Sequence, residues 1–204
     1  MRKLIYSMSV SLDGYVETRD RKLDWVIVDK ELHNFFNDQS REMGAFLYGR
    51  RAYELMAEYW PTGDADPAAP AVEADFARIW RAMPKVVFSK SLDRVDWNSR
   101  LVRDHMAAEI TKLKLQSGGD LGIAGATIAS AAMRLGLIDE YWMFVNPVVL
   151  GEGLPLFPDL HTTLKLNLVE SRTFATGVVY LRYEPDAQSQ AQLQSHAHRE
   201  QERS

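Results

Sequence analysis

Short apolar runs that stop at glycine and give way to stretches of helical spacing recur along this chain, and they leave few architectures open. Ala45-Phe46-Leu47-Tyr48 closes at Gly49, and Leu121-Gly122-Ile123-Ala124 closes at Gly125. Each is followed by a segment that reads as a helix: Arg50 to Glu58, with Tyr53 and Met56 on one side, and the small-residue stretch from Gly125 to Leu135, capped by Gly136. Leu4 to Val10 reads as a mostly buried strand ending at the turn Asp13-Gly14. Leu32, Phe35, Phe36 and Met43 place an amphipathic helix over 29–43, and Val72 to Met83 gives another, stopped by Pro84 before the strand Lys85 to Phe88. Asp104 is expected to cap a helix carrying Met106, Ile110 and Leu113.

Ile138 to Asn146 and Val148 to Leu150 supply strand material broken by Pro147. Leu164 to Phe174 and Val178 to Tyr183, joined across Thr176-Gly177, read as a closing hairpin. Strands alternating with helices require a sheet covered on both faces, and the hairpin adds an antiparallel edge. The expected fold class is therefore α/β, with a mostly parallel central sheet flanked by helices. Residues 1–185 are expected to form one domain. Residues 186–204, rich in Gln, Ser and Ala, are expected to be a mobile tail or a lone polar helix.

Composition excludes several functions. The net charge is −4, and no Lys/Arg run interleaves with aromatics, so neither a nucleic-acid nor an anionic-membrane partner is expected. The chain has no cysteine, which removes disulfides, thiolate metal sites and cysteine nucleophiles. His196 and His198 lack further partners in sequence, and no metal site is expected. No apolar run approaches a membrane span or the core of a signal peptide, so a cytoplasmic location is expected.

Three strand ends stand out as anion sites. In Gly49-Arg50-Arg51, two cations occupy the first turn of a helix, where the macrodipole disfavours them by about 0.3–1 kcal/mol. Either they face an external phosphate together with the free backbone N–H groups, or they bend away to Glu54 and Glu58. Gly125-Ala126-Thr127-Ile128 opens a helix with residues too small to block a diphosphate; close helix–strand packing would use the same residues. Ser89-Lys90-Ser91 ends a strand with hydroxyls flanking a lysine, which suits a phosphate edge or a solvated loop.

In order, these segments resemble the dihydrofolate-reductase-like family that includes the C-terminal reductase domain of riboflavin biosynthesis and its stand-alone relatives. Ser9 to Tyr15, Leu47 to Arg51, Val87 to Lys90, Ala124 to Ala126, Leu135 to Glu140 and Pro147 to Gly153 carry the resemblance, which spans residues 2 to 184. It implies an NADPH-binding oxidoreductase. Arg50, Ser89 and Lys90 would then surround the 2′-phosphate, with Gly49 and Arg51 beside them, and Gly125, Ala126, Thr127 and Ile128 would hold the diphosphate. The family often has Thr where this chain has Ala52, and Gly-Gly, sometimes with a cis bond, where it has Ala124-Gly125.

The resemblance also implies hydride transfer to a small planar heterocycle or carbonyl compound. Two alternatives stay open: the pyrimidine reductase step of riboflavin biosynthesis, and a non-catalytic dinucleotide-binding or dimerising module. A folate reductase needs a buried carboxylate near the start of its first helix; here Asp29, Glu31 and His33 fall nearby and none fits cleanly. Asp13, Glu31 and His33 are the candidates for proton transfer, and Trp25 for stacking on a planar substrate. A homodimer is implied as well.

Overall fold

Apolar and aromatic runs form most of the strands and amphipathic segments most of the helices. A computed structural model describes residues 1–201, without the side chains of His198, Glu200 and Gln201. Its strands are β1 (Leu4–Ser11), β2 (Tyr15–Glu17), β3 (Met43–Gly49), β4 (Lys85–Phe88), β5 (Ser99–Val102), β6 (Asp120–Ala124), β7 (Glu140–Asn146), β8 (Leu154–Pro155), β9 (Leu166–Thr173) and β10 (Val179–Pro185). Its helices are α1 (Lys30–Glu42), α2 (Arg50–Tyr59), α3 (Ala71–Ala82), α4 (Met106–Leu115), α5 (Ala126–Arg134) and α6 (Ala187–Gln201), with a 3-10 turn at Trp60–Thr62. The α/β class with antiparallel strands at its C-terminal end stands as expected.

The chain divides into two compact units that each combine distant segments. The first holds Met1–Arg2 and Val28–Gly125; the second holds Lys3–Ile27 and the chain from Ala126 onward. None of these crossings coincides with a Pro/Gly/Ser-rich linker.

In the first unit the strand order is β5-β4-β3-β6, all parallel. Asp29 starts α1 by accepting the Leu32 amide at 2.9 Å. Phe46, Tyr48, Tyr53, Phe76, Trp80 and Val87 form a core in which Trp80 is fully buried. Lys85 is buried beneath it, 1% exposed, and its ammonium donates to the carbonyls of Trp80 and Met83 at the end of α3. Burial pushes this lysine down to about 8. Asp104 does not cap α4: His105, at φ +57°, occupies that position, and the Asp104 carboxylate lies 3.3 Å from Lys90 instead. Strand β5 had no sequence signal, being four residues with none fully buried.

In the second unit β1 pairs with β7 in parallel, and β7, β10 and β9 continue antiparallel. Glu140, 1% exposed, accepts from Lys3 at 2.5 Å, from Arg182 at 2.7 and 2.9 Å and from Trp142 at 2.7 Å. Burial alone raises this carboxyl, but Arg182, Lys3 and Trp142 together outweigh it and hold it below its ordinary value. Helix α5 ends in a Schellman arrangement: Gly136, at φ +63°, donates to Met133 at 2.9 Å, and Leu137 donates to Ala132 at 3.0 Å. Val148 to Leu150 is not a strand, because the Val148 amide turns back to Asn146 at 2.8 Å after Pro147.

Of the two expectations for the tail, a helix is what forms, though it is docked rather than lone. Residues 187–201 form α6, anchored by Leu193 (2% exposed) and by Gln190 and Gln194, whose amides donate to Ile138 and Gly136 carbonyls at 3.0 Å. Of the expectations for the tail, those on residues 202–204 and on the His198 imidazole lie outside the described residues.

Candidate functional site

Parallel pairing brings the carboxyl ends of β3, β4 and β6 level: Gly49 lies opposite Phe88, and Tyr48 opposite Ala124. Gly49, Ser89 and Gly125 thus leave the sheet at one end, where open α/β sheets bind their ligands. Gly49 is the N-cap residue of α2 and supplies no side-chain acceptor, and no acidic residue stands in the first turn. The leading N–H groups of α2 therefore have no side-chain cap.

Arg50 emerges from this turn with its side chain 56% exposed. Its Nε lies 3.9 Å from Glu54 one turn on, beyond hydrogen-bonding distance and in water, so the pair holds the guanidinium only loosely. Arg51 is half-buried beside it. At the end of β4, the Ser89 hydroxyl oxygen accepts the amides of Ser91 (3.2 Å) and Leu92 (3.1 Å), which curls the loop back on itself. Lys90 is 82% exposed, and its 3.3 Å contact with Asp104 is a solvated ion pair that an incoming phosphate can displace.

Gly125 has φ +104°, a conformation that glycine adopts without strain, and α5 begins directly after it with no acid in its first turn. Ala126 and Ile128 turn into the protein and Thr127 turns outward. Among the described residues no peptide bond is cis, so Ala124-Gly125 is trans. A cavity of about 820 Å³ in the first unit lies at the opposite, amino ends of β3, β4 and β5. Of its four cations, Arg2 and Lys85 are engaged by backbone carbonyls and Arg100 by Glu109, Lys112 being the fourth, and none of the predicted phosphate residues lines it.

The proton-transfer candidates separate. Asp13, in the second unit, accepts from Ser11 Oγ at 2.6 Å and from the Gly151 and Leu150 amides at 2.7 and 3.1 Å. These bonds hold its carboxyl below the ordinary range, with Ser11 the largest influence, so Asp13 is a fixed anion clipping the loop after β7 to the end of β1. Glu31 is exposed in the first turn of α1, and Asp29 is occupied as its cap. His33 sits edge-on to Trp60 and Phe76 at 6.0 and 6.1 Å, and its buried Nδ1 finds no protein partner.

Trp25 lies in the second unit with a buried Nε1–H that likewise meets no acceptor. Its segment is fixed by Asn146, whose Oδ1 accepts the Ile27 amide at 2.9 Å. Sequence reading missed Asn146 because the bond spans 119 residues.

The model of the RibD C-terminal domain matches residues 2–180. The chain belongs to the RibD C-terminal domain family. Within this family it is similar to the uncharacterized protein YyaP of Bacillus subtilis (strain 168), with 33% identity over 183 residues that cover 89% of this chain and 94% of that one. Among solved structures it resembles a Shewanella sp. PV-4 protein whose name links it to riboflavin biosynthesis (TM-score 0.71, 22% identity, 91% of this chain and 99% of that one). It also resembles a dihydrofolate reductase from Enterococcus faecalis complexed with NADP(H) (TM-score 0.61, 14% identity, 90% of this chain and 96% of that one). The fold of this RibD C-terminal domain relative is thus dihydrofolate-reductase-like.

Proposed function

We propose that this protein is an NADPH-dependent reductase acting on a small planar heterocycle or carbonyl compound. The supporting observation is the donor set at the start of α2. A helix with no side-chain cap and no acid in its first turn carries Arg50 and Arg51 there, and Ser89-Lys90 follows the adjacent strand. That chemistry fits a phosphate monoester: fixed N–H dipoles, guanidinium forks and an ammonium held only by solvated contacts. Arg50, Ser89 and Lys90 receive the 2′-phosphate, and the N–H groups that follow Gly125 receive the diphosphate.

Reduced nicotinamide, when bound, supplies a hydride. The chain's own residues hold the phosphates and orient the ring through them, so binding energy remote from the reacting carbon goes into positioning. Trp25, half-buried, offers a planar substrate an indole face. Asp13 stays ionised and keeps the loop closed rather than delivering a proton. Because Asp29 serves as a cap and Glu31 is on the surface, the start of α1 provides no buried carboxylic acid for protonating a pterin. Dihydrofolate is therefore a poor substrate in this reading. The family match makes ribosylaminopyrimidines the first compounds to try.

The test is NADPH oxidation, followed by absorbance, across ribosylaminopyrimidines, pterins and quinones, alongside thermal shift with NADPH and NADH. Turnover of one class with a larger shift for NADPH supports the reading. A shift without turnover leaves a dinucleotide-binding module, and no shift with either nucleotide removes the proposal.

A further inference from the structure

The cavity of about 820 Å³ at the amino ends of β3, β4 and β5 lies within the first unit, and its volume is that of a small-molecule site. Its lining sets four cations, Arg2, Lys85, Arg100 and Lys112, against two carboxylates, Asp96 and Glu109. That is an excess of positive charge in a chain whose net charge is −4. Both carboxylates already have arginine neighbours: Glu109 pairs with Arg100, and Asp96 lies 3.9 Å from Arg94. The excess therefore falls on Arg2, Lys85 and Lys112.

Two of these three are buried, Arg2 at 8% and Lys85 at 1% exposure. Their hydrogen-bond acceptors are neutral carbonyls: Gly119 for Arg2 Nε at 2.5 Å, and Trp80 and Met83 for the Lys85 ammonium at 2.5 and 2.7 Å. Gly44 admits the Arg2 guanidinium, because a Cβ there would collide with its terminal nitrogen. Burial lowers both groups from their ordinary values; Asp120 offsets this only in part for Arg2, and no carboxylate offsets it for Lys85. A buried charge without a counter-charge is costly, and a bound anion supplies one.

The lining also includes Trp97, which is 46% exposed although a large indole favours burial. The loop that carries it is pinned on both sides. The Asp96 amide donates to the hydroxyl of the buried Tyr53 at 2.8 Å. Asn98 donates from Nδ2 to the Ala82 carbonyl at 2.7 Å, and its own carbonyl accepts the Lys85 amide at 2.9 Å. Trp97 itself has φ +61°, left-handed backbone that a tryptophan rarely adopts. The fold thus holds a flat aromatic surface in water at a cationic cavity.

We propose that this cavity binds a planar aromatic anion, its ring stacked on Trp97 and its acidic group met by Arg2, Lys85 and Lys112. The site is separate from the one at the mouth of α2: Lys85 opens β4, and Ser89 follows the far end, about 13 Å along the strand. It stands or falls without the nucleotide.

The test is isothermal titration of the full chain with α-naphthyl phosphate, with inorganic phosphate and α-naphthol as the charge and the ring alone. α-Naphthyl phosphate should bind saturably and more tightly than either half. Trp97→Ala and Lys112→Glu, both at exposed positions, should each weaken it about tenfold, whereas Arg50→Glu should leave it unchanged. No saturable binding, an affinity matched by either half alone, or indifference to either cavity substitution overturns the proposal. So does weaker binding in Arg50→Glu, which would put the probe at the nucleotide site instead.

Discussion

Arg50 is informative because it sits where a helix disfavours it. A cation in a first turn that contains no acid is opposed by the macrodipole, and the carboxylate nearest it among the described residues' ion pairs, Glu54, lies at 3.9 Å in solvent. That anomaly was legible in the sequence, since it needs only the strand-Gly-helix boundary and two neighbouring letters. The Asp13 clip was not: its acceptors' partners, Leu150 and Gly151, lie 137 and 138 residues away, and Asp-Gly by itself reads as a turn. Glu140 was equally hidden, for two of its partners, Lys3 and Arg182, lie 137 and 42 residues away. Substituting Glu140→Gln strands Arg182 and Lys3 beside a neutral amide and should lower stability by about 3 kcal/mol at neutral pH. The sign with pH follows from its depressed carboxyl. The stability it contributes is complete above the ordinary value of 4.5 and is lost as pH falls through the lower folded value. Acid-induced unfolding of Glu140→Gln, followed by circular dichroism, should accordingly be less steep below pH 4.5 than that of the parent protein.

Elements with strong local punctuation were readable. Lys85 to Phe88 matches β4 residue for residue, and the closing hairpin turns at Gly177, φ +83°. Strand β5 is four residues with no alternation of its own and exists through its register against β4. Helix α6 misleads for the opposite reason: its composition is that of a solvated segment, yet Leu193 is buried and two glutamines seal the carbonyls beyond α5. Sequence composition cannot show that a polar helix has a docking place when one leucine and two amides suffice. Truncation after Asp186 should remove about 2 kcal/mol of apolar burial from Leu193 alone. By calorimetry the melting temperature should then fall by about 4–8 °C. An unchanged melting temperature would mean that α6 does not hold the region around Gly136.

For the whole molecule, a net charge of −4 gives an anionic nucleotide no general attraction, so recognition has to come from a few fixed groups. In the proposed function, nucleotide recognition therefore rests on one cluster rather than on the field of the protein. Charge-assisted bonds to a phosphate contribute about 1.5–3 kcal/mol each, and even one lost with the 2′-phosphate amounts to tenfold or more in affinity. The decisive measurement is isothermal titration of NADPH and NADH against the parent protein and Arg50→Glu. The parent should bind NADPH at least about tenfold more tightly than NADH, and Arg50→Glu should bring the ratio to about one by weakening NADPH alone. A preference that survives Arg50→Glu unchanged, or no preference in the parent protein, would contradict the assignment of a 2′-phosphate to the mouth of α2.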